Sequence, residues 1–464
     1  MEKKIHSYLL VAFILAMGFS LQAAKKPVNM IFILADDCTY LDLELYGGQA
    51  KTPHLNALAK KGLKFNRCYQ AAPMCSPTRH ALYTGLYPVK SGAYPNHANV
   101  NKGVKSIPHF LKAGGYRVIL AGKSHVGPAK AFPFEYIKEF SDTRYEPTIS
   151  ADGWRYPKVN QVMKDAVEKN QPFCMFLCSD EPHSPYTKGD ASQYPPESLI
   201  LSPQHLGFHA KSYSKYLAEI TYFDGQVGEI MQMLKANNLE DDTIVIVASE
   251  QGSSFPFGKW TCYEVGVASG MLISWPGHVK PNTETDAIVE YTDIVPTLLE
   301  IAGVEAPKNL DGRSFLNLIK GQAIEHKDYA FSIQTTYGVN GANANYGIRT
   351  VVDKKYRYIR NVNPDNNFSI PSSRGLLKNT AKMDKNSQAF AQRYFTRPPE
   401  ELYDIENDPY CQVNLINNPE LKPTKERLSL QIDQWMEAQG DRGAETEKEA
   451  IEHLAPYKRK QFEK

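Results

Sequence analysis

Four short, predominantly apolar runs constrain this chain more than any other feature. They are Val28–Ala35 (VNMIFILA), Tyr116–Ala121 (YRVILA), Pro172–Ser179 (PFCMFLCS) and Thr243–Ser249 (TIVIVAS). A strand with one wet face alternates apolar and polar residues. A strand covered on both faces is apolar almost throughout, as in a parallel sheet sandwiched between helices. Each run stops at residues that can bind ions or move protons: Asp36-Asp37, Gly122-Lys123-Ser124-His125, Asp180-Glu181-Pro182-His183 and Glu250-Gln251. Ligands of open α/β sheets bind outside the carboxyl ends of the strands. Four such ends predict one site at one rim of one sheet.

The chemistry of these ends is mutually consistent. Asp36 and Asp37 are adjacent carboxylates, which repel each other unless a cation lies between them. Lys123 and His125 alternate at a strand end, so both side chains can point to one face. Between the runs, Thr52–Phe65 has helical periodicity with Thr52 as cap and Pro53 in the first turn. Ile107–Gly115 reads as a short helix and Tyr213–Asn237 as a long amphipathic one. Tyr346–Asn361 alternates apolar and basic residues and reads as strands. Residues 131–171 show no strong period. Val362–Pro399 is a polar insertion with scattered basic residues that reads first as solvated loop, with Arg374 or Lys378 as the alternative contacts for an anionic polymer. Glu445–Lys464 is a charged, helix-prone tail expected to lie in solvent.

At 464 residues the chain suits two domains. Its 53 basic and 51 acidic residues leave a net charge of +2, so no field argues for a nucleic-acid partner. Residues 1–24 carry Lys3 and Lys4, the apolar run Leu9–Phe19, and small residues at Ala23 and Ala24. That is the pattern of a secretory signal peptide, too short to anchor the chain in a bilayer. The expected location is secreted or periplasmic, with no membrane span. Seven cysteines leave one unpaired in a monomer even where disulfides are permitted. The expected division is a signal peptide at 1–24, a catalytic domain at 25–345 and a smaller domain at 346–464.

One further segment gives these parts a chemistry. Cys75-Ser76-Pro77-Thr78-Arg79 is followed by Thr84-Gly85-Leu86-Tyr87-Pro88. Pro77 suits the first turn of a helix, which places Cys75 just ahead of free N–H groups that favour an anion. The segment resembles the C-x-P-x-R signature of the type I sulfatases of the alkaline phosphatase superfamily. Thr52–Phe65, Gly122–His125, Pro182–Pro185 and Ile288–Gly303 resemble further blocks of that family. The resemblance extends from Val28 to Leu415. It departs at Glu250-Gln251, where the family has Asp followed by Asn or His. The carboxylate and amide types are kept, each one methylene longer.

The resemblance implies an α/β fold: a large mixed, mostly parallel sheet flanked by helices, plus a smaller C-terminal α+β domain with an antiparallel sheet. It implies that a maturation enzyme oxidises Cys75 to formylglycine. Ca2+ would be held by Asp36, Asp37, Glu250 and Gln251 together with the modified Cys75. Lys123 and Lys259 would neutralise sulfate oxygens, His183 would protonate the leaving group, His125 would withdraw a proton, and Arg79 would hold residue 75 in place. His97 is a candidate sugar contact. The implied activity is that of a sulfuric ester hydrolase acting on a sulfated oligo- or polysaccharide, a glycosaminoglycan or an algal polymer, at O- or N-sulfate. The run Ser249–Lys259 has some likeness to heparan N-sulfatases. Two alternatives remain open at this point: a phosphate or phosphonate monoester hydrolase of the same superfamily, and a catalytically silent glycan-binding relative.

Overall fold

Alternation along the first strand shows how the sheet is built. In the computed structural model, Met30, Phe32 and Leu34 belong to one apolar core and Ile31, Ile33 and Ala35 to another, on opposite faces of the strand. Successive side chains of a strand point to opposite faces, so an apolar run of this kind needs a cover on each side. The first face is covered by Leu82 and Tyr83 of the Cys75–Thr84 helix and by Val295 and Leu298 of the Ile294–Ile301 helix. The second is covered by Val159 and Met163 of the Pro157–Lys169 helix and by Phe223, Val227 and Ile230 of the Ala210–Ala236 helix. Full burial of a side chain such as Phe32 contributes about 1.5–3 kcal/mol.

The structure describes residues 27–141, 149–206, 209–342, 345–370, 380 and 383–462. The expected signal peptide at 1–24, and Arg374 and Lys378, lie outside the described residues. In chain order the strands of the large sheet are β1 (Asn29–Ala35), β2 (Leu63–Tyr69), β3 (Arg117–Gly122), β4 (Glu135–Ile137), β5 (Phe173–Cys178), β6 (Thr243–Ser249), β7 (Ala268–Ser274), β8 (Thr283–Thr285) and β9 (Val289–Glu290). They are arranged β4-β3-β5-β1-β6-β7-β2-β8, with β9 also paired to β2. From β4 to β6 every pairing is parallel. β7 runs antiparallel to both β6 and β2. The sheet is therefore mixed and mostly parallel, and the four apolar runs are adjacent in it.

A second sheet is antiparallel: β10 (Ala330–Thr335), β11 (Gly347–Val352), β12 (Tyr356–Asn361) and β13 (Glu400–Asp404), in that order. Its first strand precedes residue 346 and is tied to the large sheet's side of the molecule. The Ile333 N–H donates to Ala71 O at 2.9 Å, and Ser332 Oγ donates to Gln70 O at 2.5 Å. Ile333, Ile348, Ile359 and Tyr403 share one core with Tyr69, Phe257 and Tyr263.

Several expectations change. Residues 131–171, which lack a clear period, contain β4 and the Pro157–Lys169 helix. Thr52–Phe65 is not one helix: it ends at Ala59 and the chain enters β2 at Leu63. Thr52 makes no side-chain cap there. Asp224 of the long helix accepts instead, from His54 N at 3.1 Å and Leu55 N at 2.7 Å. The tail from 444 does not lie free in solvent. It forms helices Ala444–His453 and Pro456–Phe462, and Glu447 is fully buried. All seven cysteines are free and buried. Among the described residues, no helix is long and apolar enough to cross a membrane.

Candidate active site

Backbone hydrogen bonds that prolong the parallel ladder hold the strand ends in register. Asp36 N donates to Glu181 O (3.0 Å), Ser179 N to Leu34 O (3.0 Å), Glu250 N to Ala35 O (2.8 Å) and Lys123 N to Cys178 O (2.9 Å). Gly122 lets β3 end so close to β5: its φ is +87°, and a Cβ there would lie 2.0 Å from Cys178 O. Asp37 adopts φ +56°, a left-handed conformation that Asp tolerates better than most residues. That turn brings its carboxylate beside that of Asp36.

Cys75 faces this rim from the next element. It is the first residue of the Cys75–Thr84 helix, one step further in than its sequence suggests, and Met74 is the cap. Its Sγ lies 3.5 Å from Asp36 Oδ1, 3.8 Å from Asp37 Oδ1, 3.7 Å from Lys123 Nζ and 3.0 Å from Gln251 Nε2. Burial, followed by the Asp36 charge, pushes the Cys75 thiol up to about 12. An unmodified thiol here stays protonated and is a poor nucleophile.

Around this centre three carboxylates face three cationic side chains. Arg79, one helical turn after Cys75, meets Glu250 through Nε at 2.6 Å and Nη2 at 3.1 Å, and donates to Lys123 O at 2.6 Å. Lys123 pairs with Asp36. Lys259 pairs with Asp37 at 2.7 Å, and its loop is pinned beside the signature by Trp260 N donating to Pro73 O at 2.9 Å. Burial opposes the Asp36 charge, but Lys123, a hydrogen bond with Glu250, and the His183 and Arg79 charges hold that carboxyl well below the usual carboxylate range. Burial and the neighbouring Asp36 charge push Glu250 the other way.

The donor set fits a divalent cation. One ligand atom each from Asp36, Asp37, Cys75 and Glu250 lie within 4.8 Å of one another, and all four residues are buried. Gln251 donates through Nε2 to Asp37 and Cys75, which leaves its buried Oε1 without a hydrogen-bond partner. Amide O and N are assigned rather than seen. Turned over, the same amide satisfies the orphaned oxygen by aiming it at a cation among the carboxylates. Hard oxygen donors of this kind suit Ca2+.

The histidines lie at the edge of this cluster. His183 Nε2 is 3.5 Å from Asp37 Oδ2, and its Nδ1 lies 2.7 Å from Ser184 O. His125 Nε2 is 2.8 Å from His97 Nδ1. Burial, then Lys123, holds the His125 imidazole neutral, well below its ordinary value. Burial, with help from Lys458, lowers His97 to about 4. Asp37, Cys75, Lys123, His125, His183, Lys259 and His97 all line one cleft of about 670 Å³. Asp36, Glu250, Gln251 and Arg79 lie beneath its floor. Asn96, Ser254, Trp260, Asn340 and Tyr457, which no sequence motif singles out, complete part of the wall. Trp260 had a signal, being adjacent to Lys259. Tyr457 had none, because its tail reads as solvated.

This fold and rim define an alkaline phosphatase-like hydrolase. A family model described as Sulfatase matches residues 28–304, and one described as N-sulphoglucosamine sulphohydrolase, C-terminal, matches 252–392. The chain belongs to the sulfatase family and is a sulfuric ester hydrolase. It is 33% identical to an ulvan-active sulfatase of Formosa agariphila, over 90% of this chain and 81% of that one. It is 26% identical to the N-sulphoglucosamine sulphohydrolase of Homo sapiens, over 88% and 90%. Among solved structures, one in complex with its substrate D-glucosamine-2-N,6-O-disulfate shares the fold at TM-score 0.68 and 16% identity, covering 90% of this chain and 99% of that chain.

Proposed function

We propose that this chain is an exported sulfatase that removes an O- or N-linked sulfate from a sulfated glycan, using formylglycine at position 75 and Ca2+. The observation that carries the reading is the convergence of Cys75, Asp36, Asp37 and Glu250 within 4.8 Å, flanked by Lys123 and Lys259 at the floor of an open cleft. A glycan substrate is supported by the two curated relatives, one named as ulvan-active and one as an N-sulphoglucosamine sulphohydrolase.

Formylglycine would supply the hydrated aldehyde hydroxyl that attacks sulfur, and Ca2+ held by Asp36, Asp37, Glu250 and Gln251 would supply Lewis-acid charge for the sulfate oxygens. The protein's own side chains do the rest. Lys123, Lys259 and Arg79 offset the negative charge of the rim carboxylates, so a bound divalent cation leaves a positive field for an anionic sulfate group. Lys123 and Lys259 stabilise charge on its outer oxygens. His183 delivers a proton from Nε2 to the leaving oxygen or nitrogen. His125, held neutral, takes up a proton at Nδ1, which has no hydrogen-bond partner among the described residues. Arg79 fixes the helix turn that presents residue 75.

The test is sulfate release from a panel of sulfated saccharides, including ulvan oligosaccharides and N-sulfoglucosamine, with and without a chelator. Aryl sulfate and aryl phosphate serve as a contrasting pair. The expected result is chelator-sensitive sulfate release from at least one saccharide, with aryl phosphate untouched. Preference for aryl phosphate, with no sulfate released from any saccharide, contradicts the proposal.

A further inference from the structure

The charged tail is built into the substrate cleft. The turn between its two helices is stitched to the loop that carries His97. Ala455 N donates to His97 O at 2.9 Å, Asn99 N donates to His453 O at 3.0 Å, and Ala98 bridges Leu454. Further back, buried Glu447 accepts from Arg349 Nη1 at 2.8 Å and from Thr335 Oγ1 at 2.6 Å. Buried charges persist only when paired, so this contact fixes the tail in one place.

The outcome is an aromatic ring at the cleft mouth. Tyr457 is 62% exposed and lines the cleft with His97 and Asn340. Its hydroxyl lies 3.2 Å from His97 Nδ1, the same atom that faces His125. The next residue, Lys458, is buried and donates to Asn340, so the tail also braces the cleft-lining loop that carries Asn340. A rigid ring with a polar tip suits a ligand that is apolar on its C–H face and hydroxylated at its edge.

We propose that the tail completes the substrate site, and that Tyr457 is a specificity-determining residue. Its ring packs on the sugar that bears the sulfate, and its hydroxyl steadies His97 in the cleft wall. This assignment rests on the saccharide sulfatase reading above.

Tyr457→Ala and Tyr457→Phe are compared with wild type, with Lys460→Ala as a tail control, on 4-nitrophenyl sulfate and on whichever panel saccharide releases most sulfate. Tyr457→Ala is expected to raise KM for the saccharide about tenfold. Its kcat stays within about twofold and its thermal midpoint is unchanged. Tyr457→Phe keeps the ring and gives a smaller rise. Wild-type KM in Tyr457→Ala overturns the proposal. So does a fall in kcat at constant KM, or a loss of thermal midpoint matched by Lys460→Ala. If no saccharide is desulfated while 4-nitrophenyl sulfate is, the saccharide reading falls by itself. The Tyr457→Ala KM for the aryl sulfate then decides: raised supports the tail's part in the site, and unchanged overturns it.

Discussion

Two buried charge clusters in this chain use the same kinds of side chain and finish differently. Behind the second sheet, Arg349 grips Asp441 through Nε and Nη2 and Glu447 through Nη1, and all three side chains are wholly buried. Among the described residues, no nitrogen or oxygen of that trio lacks a hydrogen-bond partner. At the rim of the large sheet, Asp36, Asp37 and Glu250 meet Lys123, Lys259 and Arg79. That group leaves Gln251 Oε1 orphaned and opens onto a cleft. The first cluster is closed and holds the tail to the body. The second leaves a buried amide oxygen unsatisfied beside an opening, and that is what a ligand can use. Buried charge by itself does not mark a functional site; incomplete satisfaction beside an opening does.

Substitutions sharpen the contrast. The largest effect is expected at Cys75. Cys75→Ala abolishes turnover, and the matured wild-type tryptic peptide is about 18 Da lighter than its thiol form, by thiol-to-aldehyde bookkeeping. An active Cys75→Ala enzyme breaks the account of the open cluster. Next comes His183→Ala, expected to lower kcat by about 10²–10⁴-fold with binding retained; steady-state kinetics with an unchanged kcat removes His183 from proton delivery. The closed cluster behaves in the opposite way. Arg349→Met strands two buried carboxylates and costs about 3–5 kcal/mol in urea unfolding, while kcat of the folded fraction stays within about twofold. A kcat loss without a stability loss reverses the roles assigned to the two clusters.

The smallest effect is a pH dependence outside both clusters. Burial pushes the Asp42 carboxyl from 3.8 up to about 7, against hydrogen bonds from Tyr213 and Tyr216 that pull it down. Between these values the folded chain holds a proton that the unfolded chain has lost, so stability falls as pH rises from about 4 to 7 and is level above. Asp42→Asn should flatten this slope in urea midpoints measured between pH 4.5 and 7.5. A slope that persists undiminished assigns it elsewhere. Glu219, likewise pushed up to about 7 by burial, is the first alternative.

The parts of the molecule legible in sequence are those whose physics is local. β6 coincides with its apolar run and the other three runs lie within a residue or so of their strands, because double-sided burial writes itself as continuous hydrophobicity. The rim residues were legible for the same reason, as polar groups that terminate those runs. Partnerships across long sequence distances were hidden. Asp224 caps a helix 170 residues away. Glu447 looks like a solvated charge until Arg349, 98 residues earlier, is brought against it. Tyr457 lies on the same tail and lines the cleft. A charged helix with one buried carboxylate has the same composition as one with none.

The central claim is that the open cluster is completed by one divalent cation beside residue 75. Calcium titration of metal-stripped protein by calorimetry, comparing wild type with Asp37→Asn, tests it most directly. The account predicts one Ca2+ bound per wild-type chain and that binding lost in the variant, whose fold remains intact. Wild type that takes up no calcium, or a variant that binds it as tightly as wild type, contradicts it.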